Sequence, residues 1–187
     1  TWNKAIGKNT VSLHKRFHIL PKGINLNIGC STFPIWNSFP GLFASLATGN
    51  VSIIKPHPGA ILPMAVCCSS FQQTFKELGL DPLIIQLAVD TEENPKTFEL
   101  AKRNEIKTID FTGSPKIGSM LEEIAAQEQK MIFTEKAGVN SIIIDGFKDM
   151  EASLENIAFS LCLYSAQMCT APQNIYIPKY GVEYQGE

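Results

Sequence analysis

A chain of 187 residues and 20.6 kDa can hold one sizeable domain, or one domain and part of another. Its 44% apolar and 18% charged residues are those of a globular protein and exclude wholesale disorder. A net charge of −2 gives no electrostatic reason to expect nucleic acid or an anionic membrane surface as partner.

No window reaches the roughly 18 consecutive apolar residues of a membrane span. No basic segment followed by an apolar stretch marks the N-terminus as a signal peptide. The chain begins at Thr1 rather than Met, as a fragment of a longer protein would. Its five cysteines, Cys30, Cys67, Cys68, Cys162 and Cys169, are odd in number and lack CxxC spacing. That argues against a disulfide framework and a zinc site, and for reduced thiols in the cytoplasm. His14, His18 and His57 are too few and too scattered for a metal cluster, so no metal is expected.

Residues 1–23 are polar and basic and read as a lead-in closed by the turn signal Pro21-Lys22-Gly23. A strand is predicted over 24–28, then a loop dense in Ser, Pro and aromatics over 30–40, then a short helix over 41–48. The β-branched run 51–55 is a strand, 62–78 a long helix, 82–89 an apolar strand and 97–103 a helix. A strand at 108–111 runs into Thr112-Gly113-Ser114, followed by helix 116–128, strand 130–133 and a turn carrying Glu135. Beyond it come strand 142–144, helix 150–164 and strand 174–177. Strands alternating with helices predict an α/β fold with a doubly wound, mainly parallel sheet over 24–138.

Three pieces of this pattern carry chemistry. Cys169 lies in a polar turn after Gln167-Met168, between a helix and a strand, whereas the other four cysteines sit in apolar or small-residue surroundings. Glu135 stands where a strand delivers it to the carboxyl edge of the sheet, and a partly buried Glu there can have a raised pKa and serve as a general base. Asn37 offers an amide donor. A thiolate that attacks a carbonyl carbon, a carboxylate that manages water and an amide that steadies the oxyanion make one machine for acyl chemistry. Each has a plainer reading: a structural thiol, a surface Glu and a turn Asn. Thr112-Gly113-Ser114 at a strand-to-helix junction suits phosphate, but by itself it is a capped helix; no GxGxxG is present. Lys55, closing a strand before Pro56, is by itself an exposed lysine.

Together these motifs resemble the aldehyde dehydrogenase family, over residues 26–178. Phe111-Thr112-Gly113-Ser114 is similar to its FTGS motif, which contacts the cofactor pyrophosphate. Gly49-Asn50 through Lys55-Pro56 is similar to the segment whose lysine binds the adenine ribose. Trp36-Asn37 is similar to the step that contributes the oxyanion amide, with Ile35 in place of a proline and Ser38 inserted. Glu135-Lys136-Ala137-Gly138-Val139 resembles the Glu-Leu-Gly-Gly-Lys motif, altered at three places. Cys169 stands 34 positions after Glu135, as the family requires, although Ala166 replaces a glycine.

The resemblance implies oxidation of an aldehyde to a carboxylic acid through a cysteine thiohemiacetal and thioester. Cys169, Glu135 and Asn37 are its catalytic residues, and Trp36, Lys55, Gly113 and Ser114 bind the cofactor. That cofactor is NAD or NADP, leaning to NADP, because Pro58 stands where NAD-preferring members carry a ribose-binding Glu. Several segments look most like the branch of phenylacetate degradation. The resemblance further implies that residues 139–187 are the start of a second α/β catalytic domain, and it implies a homo-oligomer at full length, a small aldehyde as partner, and a chain of this length with little activity alone. The rival reading is a non-catalytic nucleotide-binding relative, or a truncated one, in which Cys169 is structural.

Overall fold

The computed structural model describes residues 1–184. Its centre is a five-stranded, all-parallel sheet. In chain order the strands are β3 (Ile24–Ile28), β4 (Val51–Lys55), β5 (Ile85–Leu87), β6 (Ile106–Gly113) and β7 (Met131–Lys136); in space they run β5-β4-β3-β6-β7. Helices α1 (Pro34–Ala47) and α2 (Ile61–Glu77) cover one face, α3 (Thr97–Lys102) and α4 (Pro115–Gln127) the other.

Alternation along β3 assigns the faces. Leu26 and Ile28 pack with Ile109, Phe111, Leu121 and Ala125 under α3 and α4. Asn25 and Asn27, which alternate with them, turn to α1, where the Asn27 amide donates to the Ser38 carbonyl at 3.1 Å. On that second face Leu42 of α1, Ile54, Ile85, Met64 and Cys68 form their own core. Each fully buried Leu or Ile contributes about 1.5–3 kcal/mol of burial free energy. The chain reverses between α1 and β4 through Gly49, at φ 78. Asn50 locks that reversal, its Oδ1 accepting from the N–H groups of Lys22 and Gly23.

Outside the sheet, β1 (Trp2–Ile6) and β2 (Asn9–Leu13) form an antiparallel hairpin. Where composition suggested a polar lead-in, Trp2, Ile6, Val11 and Leu13 share one face of this ribbon, and Gly7 at φ 62 opens its two-residue turn. After the sheet, β8 (Asn140–Ile143) pairs in parallel with β10 (Pro172–Tyr176), and β9 (Gly146–Phe147) with β11 (Glu183–Tyr184). Helix α5 (Met150–Cys162) crosses between them, N-capped by Asp149, which accepts from Ala152 N–H at 3.0 Å.

Several expected boundaries move. The loop expected over 30–40 is a loop only to Phe33; α1 starts at Pro34, because proline is preorganised for the first helical position. Pro40 is accommodated inside that helix. The strand expected from residue 82 starts at Ile85, because Asp81 caps a 3₁₀ turn over Pro82–Ile84 by accepting from Leu83 N–H at 2.8 Å. The turn expected to hold Glu135 is strand, since β6 continues to Gly113 and gives β7 a partner out to Lys136. Helix α5 ends at Cys162; Tyr164, Ser165 and Ala166 then run left-handed at φ 50, 55 and 60. Among the described residues no helix is long and apolar enough to cross a membrane, and no group of three metal-binding side chains gathers.

Candidate functional site

A cleft of about 1040 Å³ opens at the carboxyl edge of the parallel sheet, where such sheets present groups to ligands. Asn37, Glu135 and Cys169 all line it, and so do Trp36, Lys55, Gly113 and Ser114. Residues from Trp36 to Cys169 are thus collected around one cleft by the topology.

Asn37 reaches the cleft from the first turn of α1, and its Nδ2 donates to Cys30 Sγ at 3.0 Å. Burial pushes the Cys30 thiol up, but hydrogen bonds from the Phe33 backbone, the Asn37 amide and Thr32 outweigh it and leave the thiol below its ordinary value. Cys30, whose surroundings in the sequence suggested a packing residue, is half-buried and lines the cleft.

Cys169 is exposed, in the turn between the left-handed segment and β10. Two ties hold that turn. The Asn140 amide on β8 donates to the Cys169 and Ala171 carbonyls, at 2.5 and 3.3 Å. Upstream, the Tyr164 ring stands edge-on against Phe33, 4.5 Å between centroids, which joins the cysteine loop to the start of α1.

Glu135 is exposed on β7, opposite Thr112 of β6, rather than partly buried in a loop. Its strand neighbours turn the other way and fasten β7 to α4. Thr134 donates to Glu122 at 2.7 Å, and Lys136 pairs with Glu122 at 2.8 Å. The half-buried carboxyl in this cleft is Asp110, pushed up to about 6 by burial and then by the charge of Glu135.

Ser114 caps α4, its hydroxyl accepting from Ile117 N–H at 3.4 Å, so the N-terminus of a 13-residue helix faces the cleft. Gly113 ends strand β6 just before that cap. A side chain is excluded there because its Cβ would stand 2.7 Å from the Phe111 ring. Gly118 keeps α4 close to the sheet: a Cβ would meet Lys136 Cδ at 2.7 Å.

Lys55 is not an exposed lysine. It is 5% exposed, with Nζ 2.8 Å from Asp90 Oδ1. Asp90, buried in turn, also accepts from Lys96 N–H at 2.9 Å. A helix N-terminus, a buried lysine beside a carboxylate and glycines that allow close backbone approach fit the phosphates and riboses of a dinucleotide.

Sequence reading missed Cys30, Asp90 and Asp110. Only Asp110 left a signal: between Ile109 and Phe111, which belong to the core, strand alternation turns its carboxyl to the opposite face.

The fold and this cleft define a dinucleotide-binding α/β unit carrying an exposed thiol, a carboxylate and an amide at one sheet edge. The aldehyde dehydrogenase family model matches residues 4–183, and the chain belongs to that family. It is similar to "Aldehyde dehydrogenase LUC3" of a Fusarium species, 32% identical over 142 residues, 76% of this chain and 29% of that one. It is also similar to the "N-succinylglutamate 5-semialdehyde dehydrogenase" of Legionella pneumophila (strain Corby), 26% identical over 181 residues, 95% of this chain and 34% of that one. Among solved structures, an "NAD-dependent aldehyde dehydrogenase from Burkholderia multivorans" superposes with TM-score 0.83 at 50% identity, over 98% of this chain and 33% of that one. The chain therefore spans about a third of the length of such relatives.

Proposed function

We propose that the whole protein oxidises an aldehyde to a carboxylic acid with NAD or NADP, and that this chain carries its cofactor cleft and its nucleophile. The observation that carries the reading is that Cys169, Glu135 and Asn37 line one cleft with Lys55, Gly113 and Ser114. Residues 24–138 would form the cofactor domain, 1–23 a lead-in and 139–187 the start of the catalytic domain.

In this mechanism Cys169 Sγ attacks the aldehyde carbon, and the carbonyl electron pair moves to oxygen. Asn37 Nδ2 and the Cys169 N–H donate to that oxyanion. Lys55, Gly113, Ser114 and Trp36 would hold the dinucleotide, whose nicotinamide ring accepts the hydride when bound. Glu135 then takes a proton from the water that attacks the thioester carbonyl, and the Cys169 thiolate leaves as the acid forms.

The segments around Cys30 to Phe43, Lys55 to Pro58 and Glu135 to Ser141 support a place for the protein in aromatic acid breakdown of the phenylacetate type. A cytoplasmic location and homo-oligomerisation complete the proposal. Pro58 in place of a ribose-binding carboxylate supports use of NADP, whereas Asp90 restores a carboxylate beside Lys55. The 50% identical Burkholderia multivorans protein, named NAD-dependent, adds weight to NAD.

The test is the full-length protein with a panel of aliphatic and aromatic aldehydes. Reduced cofactor should appear together with the acid, and Cys169→Ala should abolish both while leaving cofactor affinity intact. Tight nucleotide binding with no turnover of any aldehyde would favour a non-catalytic relative.

A further inference from the structure

Phe33 stands where two chemical groups of the cleft are joined. It is the N-cap residue of α1, and its carbonyl accepts from the Asn37 N–H at 3.0 Å, the hydrogen bond that opens the helix. Its own N–H donates to the Cys30 thiol, whose sulfur in turn accepts from the Asn37 amide at 3.0 Å. The backbone and the side chain of Asn37 are thus both placed relative to Phe33. The Phe33 ring makes a different connection, edge-on to Tyr164 with 4.5 Å between centroids and 66° between planes.

From Tyr164 the line continues to the nucleophile. The Tyr164 carbonyl accepts from Gln167 N–H at 3.1 Å, and the Met168 carbonyl from Ala171 N–H at 3.1 Å. Two consecutive turns therefore carry the chain from the ring through Cys169 to β10. Asn140 ties the far side of these turns to β8 through the Cys169 and Ala171 carbonyls. The near side is Tyr164, Ser165 and Ala166, exposed and in left-handed backbone that residues with a Cβ keep only when held. The ring on Phe33 supplies that hold. Phe33 follows β3 of the five-stranded sheet, whereas Tyr164 precedes β10 of the smaller one. The contact thus sets the thiol of one unit against the amide of the other.

We propose that Tyr164 and Phe33 are positioning residues for the attack step: their ring contact holds the Cys169 turn against the first turn of α1, so that Sγ and the Asn37 amide meet on one carbonyl group. This rests on the aldehyde-oxidation reading above. Neither ring takes part in bond making. Thiohemiacetal formation needs the thiolate and the oxyanion donor together, and such a step is the one most sensitive to their relative placement. Lys55, Gly113 and Ser114 sit on β4, β6 and the start of α4 and do not depend on either ring.

In the full-length protein, Tyr164→Leu and Phe33→Leu each remove the ring contact and keep an apolar side chain. The hydride-transfer burst, which needs the thiohemiacetal, should slow about tenfold in each, with cofactor affinity unchanged. The double variant should be no slower than either single one, because all three lose the same contact. Tyr164→Phe, which keeps the ring, should restore the wild-type burst. Multiplied losses in the double variant, or a burst in Tyr164→Phe as slow as in Tyr164→Leu, overturns the proposal. If Phe33→Leu accumulates poorly, the two variants of the exposed Tyr164 decide alone. Amide hydrogen exchange needs no turnover: residues 163–171 should exchange about tenfold faster in Tyr164→Leu than in wild type or Tyr164→Phe, with the five-stranded sheet unchanged. Equal exchange in all three proteins also overturns the proposal. Absence of dehydrogenase activity in the wild type would strike the proposed function alone, because exchange still decides whether the ring holds the turn.

Discussion

The Asn37 amide donates to Cys30 Sγ at 3.0 Å, and this contact decides which way round the amide sits. Its oxygen and nitrogen ends have nearly the same shape. A sulfur acceptor selects the nitrogen, so an N–H, not the carbonyl, is presented to the cleft. Asn37→Ala should therefore lower kcat about 100- to 1000-fold, the loss typical of one oxyanion donor. Cys30→Ser, which keeps an acceptor, should lose far less than Cys30→Val, which leaves the amide free to turn. Equal losses in those two variants would show that the sulfur contact does not orient Asn37.

Glu135→Gln should separate the two halves of the reaction. Hydride transfer needs no base of this kind, whereas hydrolysis of the thioester does, so acid release should slow by about 10²–10⁴ while the reduced-cofactor burst persists. Rapid-mixing absorbance followed by acid quench measures both steps. Loss of the burst itself would make Glu135 a positioning group instead.

How much of this was legible in the sequence follows from what each residue's role depends on. The parallel α/β sheet was legible because period-2 and period-3.6 apolar runs alternate cleanly from Ile24 to Phe133. That Cys169, Glu135, Lys55 and Ser114 belong together was legible through short motifs, and all four line one cleft. The environment of Lys55 was not, because Asp90 reaches it from another strand end, 35 positions along the chain. Asp110 was hidden for the same reason: its burial comes from Gly41, whose missing side chain is informative only once α1 is laid over β6. The β1–β2 hairpin was lost because Lys4, Lys8 and the Asn, Thr and Ser residues around them masked the alternation of Trp2, Ile6, Val11 and Leu13 around the Gly7 turn.

The Lys55–Asp90 pair gives a prediction about the cofactor. With Asp90 at 2.8 Å, the ammonium is already compensated, and a 2′-phosphate would meet a carboxylate as well as a lysine. Asp90→Ser should free the cation and shift preference toward NADP by about tenfold, or about 1.4 kcal/mol. Titration of both dinucleotides against wild type and variant checks this. An unchanged ratio would place the 2′ position away from this pair.

Asp110 also leaves a mark on stability. Its folded value of about 6 lies above the usual 3.8, so the folded state binds the proton more tightly than the unfolded chain. Stability from this group is therefore greatest below about pH 4 and declines as pH rises through about 6. Asp110→Asn removes that decline. Relative to wild type it should gain about 1–2 kcal/mol between pH 4 and 7, after allowance for solvent screening of a partly exposed group. Denaturant unfolding of both proteins across this range should show the difference growing with pH. A difference independent of pH would assign the effect to packing against Gly41 alone.

The left-handed run Tyr164-Ser165-Ala166 is the most strained backbone near Cys169, with φ of 50, 55 and 60 in three residues that all carry a Cβ. Each such residue costs about 1–2 kcal/mol relative to right-handed backbone. The cost is borne because the turn sets the Tyr164 ring on Phe33 and carries the chain from the exposed helix α5 back to the cleft edge. Ala166 donates no side-chain hydrogen bond and is exposed, so its methyl group contributes strain without packing. Ala166→Gly should remove most of that strain. Part of the gain is offset by the greater freedom of glycine in the unfolded chain, leaving about 0.5–1 kcal/mol of added stability. The variant should unfold at higher denaturant concentration with the same slope and react with thiol reagents at Cys169 at the wild-type rate. Destabilisation by the glycine would mean that residue 166 does not run left-handed in the native protein.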